Sequence, residues 1–189
     1  MTPEELRRER LRNDFKEMQR LDGEVIRLTA QGDAPERYRL LLRVRSIIGP
    51  GPAYRDEHEV QVELGPGYPW GPPQITMLTL PPPFHPNWFR DARWCGGDPA
   101  PEESLAQRVL RMVRTLQFDL KITNPNSPAN HHAADWYRQR LEAQKNSPQD
   151  SRNSLFPCDR KELPDPSRPR LQLEKAPEPR RRLELLPDP

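Results

Sequence analysis

The spacing of apolar residues changes once along the first half of the chain, and the change predicts two kinds of element. Leu6, Leu11, Phe15, Met18 and Leu21 recur at roughly helical spacing, while Arg7, Arg8, Arg10, Arg12, Lys16 and Arg20 are interleaved with acids on the remaining positions. One stripe packs and the rest faces water. Thr2-Pro3-Glu4-Glu5 opens this helix: Thr2 is an N-cap, Pro3 takes the first helical position where its missing N–H costs nothing, and Glu5 closes a capping box. The helix is expected to end near Leu21. Beyond it the period falls to two: Ile26, Leu28 and Ala30; then Tyr38, Leu40, Leu42 and Val44 against Arg39, Arg43 and Arg45; then Val60, Val62 and Leu64 against Glu59, Gln61 and Glu63. These are half-buried strands. The connectors Gln31–Pro35 and Gly49–Pro52 are short and rich in turn residues, so sequential antiparallel pairing is the economical topology. Ile75–Leu80 adds a fourth strand after a proline-laden loop. The prediction is a four-stranded meander with helices over one face, an α+β fold.

From Leu80 to Ser104 periodicity is weak, and the loop far exceeds the usual connection of about four to six residues. Ser104-Leu105-Ala106-Gln107 then repeats the capping-box pattern, and Leu105, Val109, Met112 and Leu116, joined by Leu110 and Val113, form a broad apolar face. That helix is expected at the centre of the core, with Arg108, Arg111 and Arg114 as its exposed face. A last helix is expected from about Asn130, carrying Ala133, Tyr137 and Leu141 at i, i+4 spacing. Past Asn146 prolines recur too often for any regular element and charges of both signs mix, so residues 1–145 read as the folded domain and 146–189 as a Pro/Arg-rich disordered tail. The tail holds a near-repeat, Glu162-Leu163-Pro164-Asp165-Pro166 and Leu185-Leu186-Pro187-Asp188-Pro189, which reads either as a short docking motif or as inert low complexity.

Composition narrows the function classes. Thirty basic against 28 acidic residues, a net charge of +2, gives no reason to expect a nucleic-acid binder. No apolar run approaches the roughly 18 to 20 residues of a membrane span, and Met1–Leu6 lacks a basic-then-apolar signal pattern, so a cytoplasmic protein without a membrane partner is expected. Hydrophobic residues make up 33% of the chain, thin for a core spread over its whole length, which agrees with an unfolded tail. Two cysteines, Cys95 and Cys158, are too few for a disulfide scaffold in such a compartment. Arg outnumbers Lys 25 to 5, which fits either a GC-rich genome or an enzyme that keeps amines away from a reactive thioester. His131-His132 does not make a metal site, because adjacent helical residues do not share a face and no matching ligands are evident.

The long loop and its approach read Tyr68-Pro69-Trp70-Gly71-Pro72-Pro73, then His85-Pro86-Asn87, then Cys95 eight residues past Asn87. A thiol suits acyl carriage, since its thiolate is strongly nucleophilic and its thioester stays reactive toward amines. In these motifs the chain resembles the ubiquitin-conjugating (E2) enzymes, which share a Tyr-Pro-x-x-Pro-Pro loop, a His-Pro-Asn tripeptide and a nucleophilic Cys at this spacing. Asn126-Ser127-Pro128-Ala129-Asn130, with Ala133-Ala134 and Tyr137 beyond, resembles the loop bordering the family's active site. The resemblance covers roughly residues 3–141 and implies a UBC-like fold with a shortened C-terminal helical region.

It further implies that Cys95 accepts ubiquitin or a ubiquitin-like protein from an E1-type activating enzyme and passes it to a lysine or an E3 ligase. By the same resemblance Asn87 donates to the oxyanion or braces the loop, His85 and Pro86 are structural, and Ser127 stands at the cleft rim. Trp70, Pro72 and Pro101 are the implied partner-binding residues, and Trp70 reads equally as a loop aromatic lying against the domain. Serine cannot act as a carboxylate would, so desolvation in the cleft would have to lower the attacking lysine's pKa from about 10.4. No metal or organic cofactor is implied; ATP is used only by the E1. Three features depart from the family: Trp94 where an aliphatic residue is usual, Gly96-Gly97-Asp98 after the Cys, and a Cys95–Leu105 segment about two residues short. The composition and short C-terminus suit a bacterial E2-like protein of a conjugation operon linked to phage defence. The alternatives are a non-catalytic E2-variant adaptor that binds ubiquitin-like proteins, and an interaction protein whose working part is the tail.

Overall fold

The computed structural model describes residues 2–51, 53–98, 102–146, 156 and 161–167. The elements are α1 (Pro3–Leu21), β1 (Ile26–Ala30), β2 (Arg37–Leu42), β3 (Ser46–Gly49), β4 (Ala53–Arg55), β5 (His58–Glu63), β6 (Gln74–Met77), α2 (Leu105–Leu116) and α3 (His131–Asn146). Both capping boxes form. The Glu5 N–H donates to Thr2 Oγ1 while the Thr2 N–H donates to the Glu5 carboxylate, and Ser104 and Gln107 repeat the exchange at the head of α2.

The main sheet runs β1-β2-β5-β6, antiparallel throughout. Its register lines up the period-two residues across the strands. Leu28, Leu40, Val60 and Met77 form one rung, and Ala30, Tyr38, Val62 and Ile75 another. Leu11, Met18 and Leu21 of α1 and the apolar face of α2 close over this layer, so the core is a sheet with two helices on it. A second, smaller cluster joins Ile47, Phe84, Phe118 and the Ala133–Tyr137 face of α3.

Four features differ from the sequence expectation. β3 and β4 pair as a separate ribbon across the Gly49–Pro52 connector, a segment too short and turn-rich to show a strand period. β2 ends at Leu42 rather than Val44, and the fourth main strand ends at Met77 rather than Leu80. Past Met77 the carbonyls of Thr79, Leu80 and Pro81 turn toward the Arg55 guanidinium at 3.2, 2.7 and 3.0 Å, which takes them off the ladder and leaves Leu80 exposed. On α1, Leu6 is exposed and Asp14 is buried in its stead on the packed side. The buried carboxylate is paid for by Arg10 Nε at 2.9 Å and the Tyr68 hydroxyl at 2.5 Å.

The expected tail, 146–189, lies mostly outside the described residues. Those of it that are described sit against the domain: Phe156 is buried, stacked on Phe118 and Tyr137 with ring centroids 5.0 Å from each, and residues 161–167 lie along α1 and α2. Among the described residues no helix is long and apolar enough to cross a membrane.

Candidate active site

β6 is an edge strand of the main sheet, and the long loop returns to cover that edge. The Met77 N–H donates to the Ala92 carbonyl and the Trp94 N–H to the Ile75 carbonyl, each at 2.9 Å, so residues 92–94 run beside β6 like a further strand. Trp88 inside the loop is fully buried, its indole N–H donating to Thr115 Oγ1 of α2 at 3.0 Å. The loop is therefore pinned to the sheet one residue before Cys95 and to α2 seven residues before it. Cys95 is half-buried and carries a free thiol.

His85, Pro86 and Asn87 each hold a different neighbour. The Cys95 N–H donates to the Asn87 carbonyl at 2.8 Å, and Asn87 Nδ2 donates back to the Cys95 carbonyl at 3.2 Å. The other end of the amide, Oδ1, accepts the Asn124 N–H at 3.3 Å. The Pro86 carbonyl accepts from Ala129 at 2.8 Å and Asn130 at 3.2 Å, which draws the 124–130 loop against the tripeptide. His85 is fully buried, and burial pushes its pKa down to about 3, so the ring is neutral. Its Nδ1 accepts the Asn87 N–H at 3.0 Å, which leaves the ring proton on Nε2, facing Thr123 Oγ1 at 3.2 Å. The Thr123 hydroxyl donates onward to the Asp119 carbonyl at 2.8 Å. Both ring nitrogens are committed.

Ser127 is exposed on the 124–130 loop, its N–H donating to Asn124 Oδ1 at 3.3 Å. Asn124, which the sequence reading passed over, thus joins Asn87 to the Ser127 segment; its only signal was an Asn beside a Pro in an Asn-rich turn. Trp70 is 77% exposed and Pro72 is exposed, standing out from a loop whose Tyr68 is anchored under α1 by Asp14. Trp70 therefore does not lie against the domain. Pro101 and Cys158 are outside the described residues. His131 and His132 are exposed at the start of α3, where Asn130 caps the helix through Oδ1 to the Ala133 N–H at 3.1 Å.

The largest correction concerns Arg108. It does not lie on an exposed face of α2 but is buried, at 4% exposure, beneath the exit from Cys95. Its guanidinium pairs with Glu103 at 3.1 Å, donates to the Gly97 carbonyl at 2.7 Å and lies 5.4 Å from the centre of the Trp94 ring. Arg111 shares Glu103 at 2.9 Å and lies 5.8 Å from the same ring. Burial lowers the Arg108 pKa and the Glu103 carboxylate opposes that shift. The Trp94 ring in turn needs Gly96: a Cβ there would fall 2.2 Å from the ring. The residues that depart from the family pattern, Trp94 and Gly96-Gly97, thus form one packed unit with α2. A bulky ring two positions before a glycine was the available sequence signal.

Geometrically the site offers a half-exposed thiol on a pinned backbone and a carboxamide beside its carbonyl. No protein-family model matches the chain. Over 89 residues it is 34% identical to the ubiquitin-conjugating enzyme E2 of African swine fever virus (strain Badajoz 1971 Vero-adapted), a stretch covering 43% of this chain and 40% of that protein. The chain therefore spans less than half the length of this curated relative. The similarity supports kinship with E2 proteins and, being to a viral protein, says nothing of a bacterial origin.

Proposed function

We propose that this chain is an E2-type conjugating enzyme with Cys95 as its nucleophile. The Cys95 thiolate attacks the carbonyl of an E1-held thioester, the tetrahedral intermediate collapses, and the E1 thiolate leaves as the new thioester forms on Sγ. A lysine amine, or the cysteine of an E3 ligase, then attacks that thioester and Cys95 departs as thiolate; the amine route also sheds a proton. Charge builds on the carbonyl oxygen in each addition. Asn87 Nδ2 has a second N–H besides the one given to the Cys95 carbonyl, and a single such donor is typically worth about 3 to 4 kcal/mol to an oxyanion.

The observation that carries this reading is the reciprocal pair between Asn87 and Cys95, which fixes a carboxamide beside the nucleophile's own backbone. His85 serves the pair from beneath and takes no part in proton transfer, since it is buried, neutral and bonded at both nitrogens. Ser127, on the loop tied to the same tripeptide, stands where the attacking amine enters. Exposed Trp70 and Pro72 present a surface for an E1 or E3.

The test mixes the chain with a candidate E1, its ubiquitin-like protein and ATP, and resolves the products on gels with and without reductant. A thiol-sensitive adduct is expected, lost in Cys95→Ala and kept in Cys158→Ala. The reverse pattern would move the site, and no adduct with the cognate pair would favour a non-catalytic adaptor. Asn87→Ala should still charge but discharge to free lysine about 100-fold more slowly, the scale of a lost oxyanion donor. Equal discharge would leave Asn87 a loop brace only.

A further inference from the structure

The tail motif that the sequence repeats is seated in one of its copies. Leu163 of Glu162-Leu163-Pro164-Asp165-Pro166 packs against the main core cluster between the C-terminal parts of α1 and α2. The flanks are held by main-chain carbonyls: Arg20 of α1 donates to the Pro166 carbonyl at 2.9 Å, and Gln117 after α2 donates to the Lys161 carbonyl at 3.0 Å. Ser167 turns back through its N–H and hydroxyl to Asp165 Oδ1 at 2.9 and 2.6 Å. Arg20, Arg111 and Arg114 line the groove together with Glu17, Glu102 and Glu103, so its rim carries charges of both signs. The seat thus reads an apolar side chain and the main-chain carbonyls on either side of it, in the backbone conformation that proline imposes.

Leu186-Pro187-Asp188-Pro189 repeats Leu163-Pro164-Asp165-Pro166 residue for residue. Whatever the groove recognises in the first copy is present in the second. We propose that the α1–α2 groove is a receptor for Leu-Pro-Asp-Pro, and that residues 186–189 of the same chain are its second ligand, exchanging with 163–166. Buried Phe156 is the last described anchor before the first copy. Leu163 lies seven residues past it and Leu186 thirty, so the first copy has the shorter tether. The copy with the shorter tether is the one seated. The exchange frees residues 161–167 without emptying the groove.

The test uses the full chain and a fluorescent peptide of residues 182–189, read by anisotropy at protein concentrations too low for self-association. Leu163 is only half-buried at the surface, so Leu163→Asp removes the first ligand without opening the core. In that variant the second copy takes the groove and the peptide stays weakly bound. Adding Leu186→Asp empties both cis ligands, and the apparent peptide affinity should rise about ten-fold over the single variant, a step set by the lost effective concentration. Arg20→Glu in the double variant should reverse the gain, and a peptide carrying Leu186→Asp should not bind. Equal peptide affinity in the single and double variants would overturn the proposal, because the second copy would then not be an intramolecular ligand. Failure of the folded double variant to bind the peptide, or binding indifferent to Arg20→Glu, would overturn the groove itself; circular dichroism checks folding in each case.

Discussion

Asn87 and Trp94 show two ways in which single side chains hold the backbone around Cys95. Asn87 does so by hydrogen bonds that use both ends of one amide, to the Cys95 carbonyl and from the Asn124 N–H. Trp94 does so by shape, its ring filling the space over Gly96 and resting on the Arg108 and Arg111 guanidiniums. Gly96→Ala would put a methyl into that ring, and overpacking of this kind costs about 1 to 3 kcal/mol. In a Trp94→Leu background the clash is gone, so the alanine penalty should fall to a few tenths of a kcal/mol, as contacting residues are non-additive. Urea denaturation of the four members of the cycle checks it, and strict additivity would mean that the ring yields freely. Arg108→Lys should also destabilise the chain, by about 1 to 3 kcal/mol, because an ammonium cannot reproduce the planar fork that meets Glu103 and the Gly97 carbonyl together.

At the scale of elements, the two capped helices differ in what their caps protect. α2 is apolar along most of its length and lies in the core, whereas the first turn of α1 stands in solvent. Ser104→Ala should therefore cost about 1 kcal/mol of global stability, seen as a lower denaturation midpoint at unchanged slope. Thr2→Ala should chiefly fray the first turn of α1, raising amide exchange there while moving the midpoint less. The loop from Pro81 to Asp98 behaves as part of the sheet rather than as a connector, because residues 92–94 satisfy the open edge of β6. That is why a segment without periodicity can hold Cys95 in a fixed place. The β3–β4 ribbon plays a comparable part at the other end of the loop: Phe84 donates its N–H to the Ile47 carbonyl at 2.8 Å, and Arg55 gathers the carbonyls of 79–81.

For the whole molecule, two buried histidines couple stability to pH. Burial, reinforced by the Arg55 charge, pushes His58 down to about 4, and burial alone pushes His85 down to about 3. Both are depressed histidines, so below about pH 6.5 the unfolded chain binds protons that the native chain does not, and stability falls as pH falls through that window. At pH 5 each group removes about 2 kcal/mol relative to neutral pH. Denaturation midpoints at pH 7 and pH 5 check this, and in His58→Gln the gap should narrow by about that amount. An unchanged gap would show that His58 titrates normally in the native state. The caps, the period-two strands, the core helix and the Tyr68-to-Cys95 motifs were determined by the sequence itself, because each rests on residues near one another in the chain or on which side of an element a residue falls. The burial of Arg108 and Asp14, the service of Asn124, the β3–β4 ribbon and the seating of Phe156 and Leu163 were decided only by the tertiary structure. The ribbon is local but too short and turn-rich to show a strand period; in the others a polar or isolated residue is settled by partners outside its own element, and local periodicity carries no information about which charge will meet which carbonyl once the loop closes on the helices.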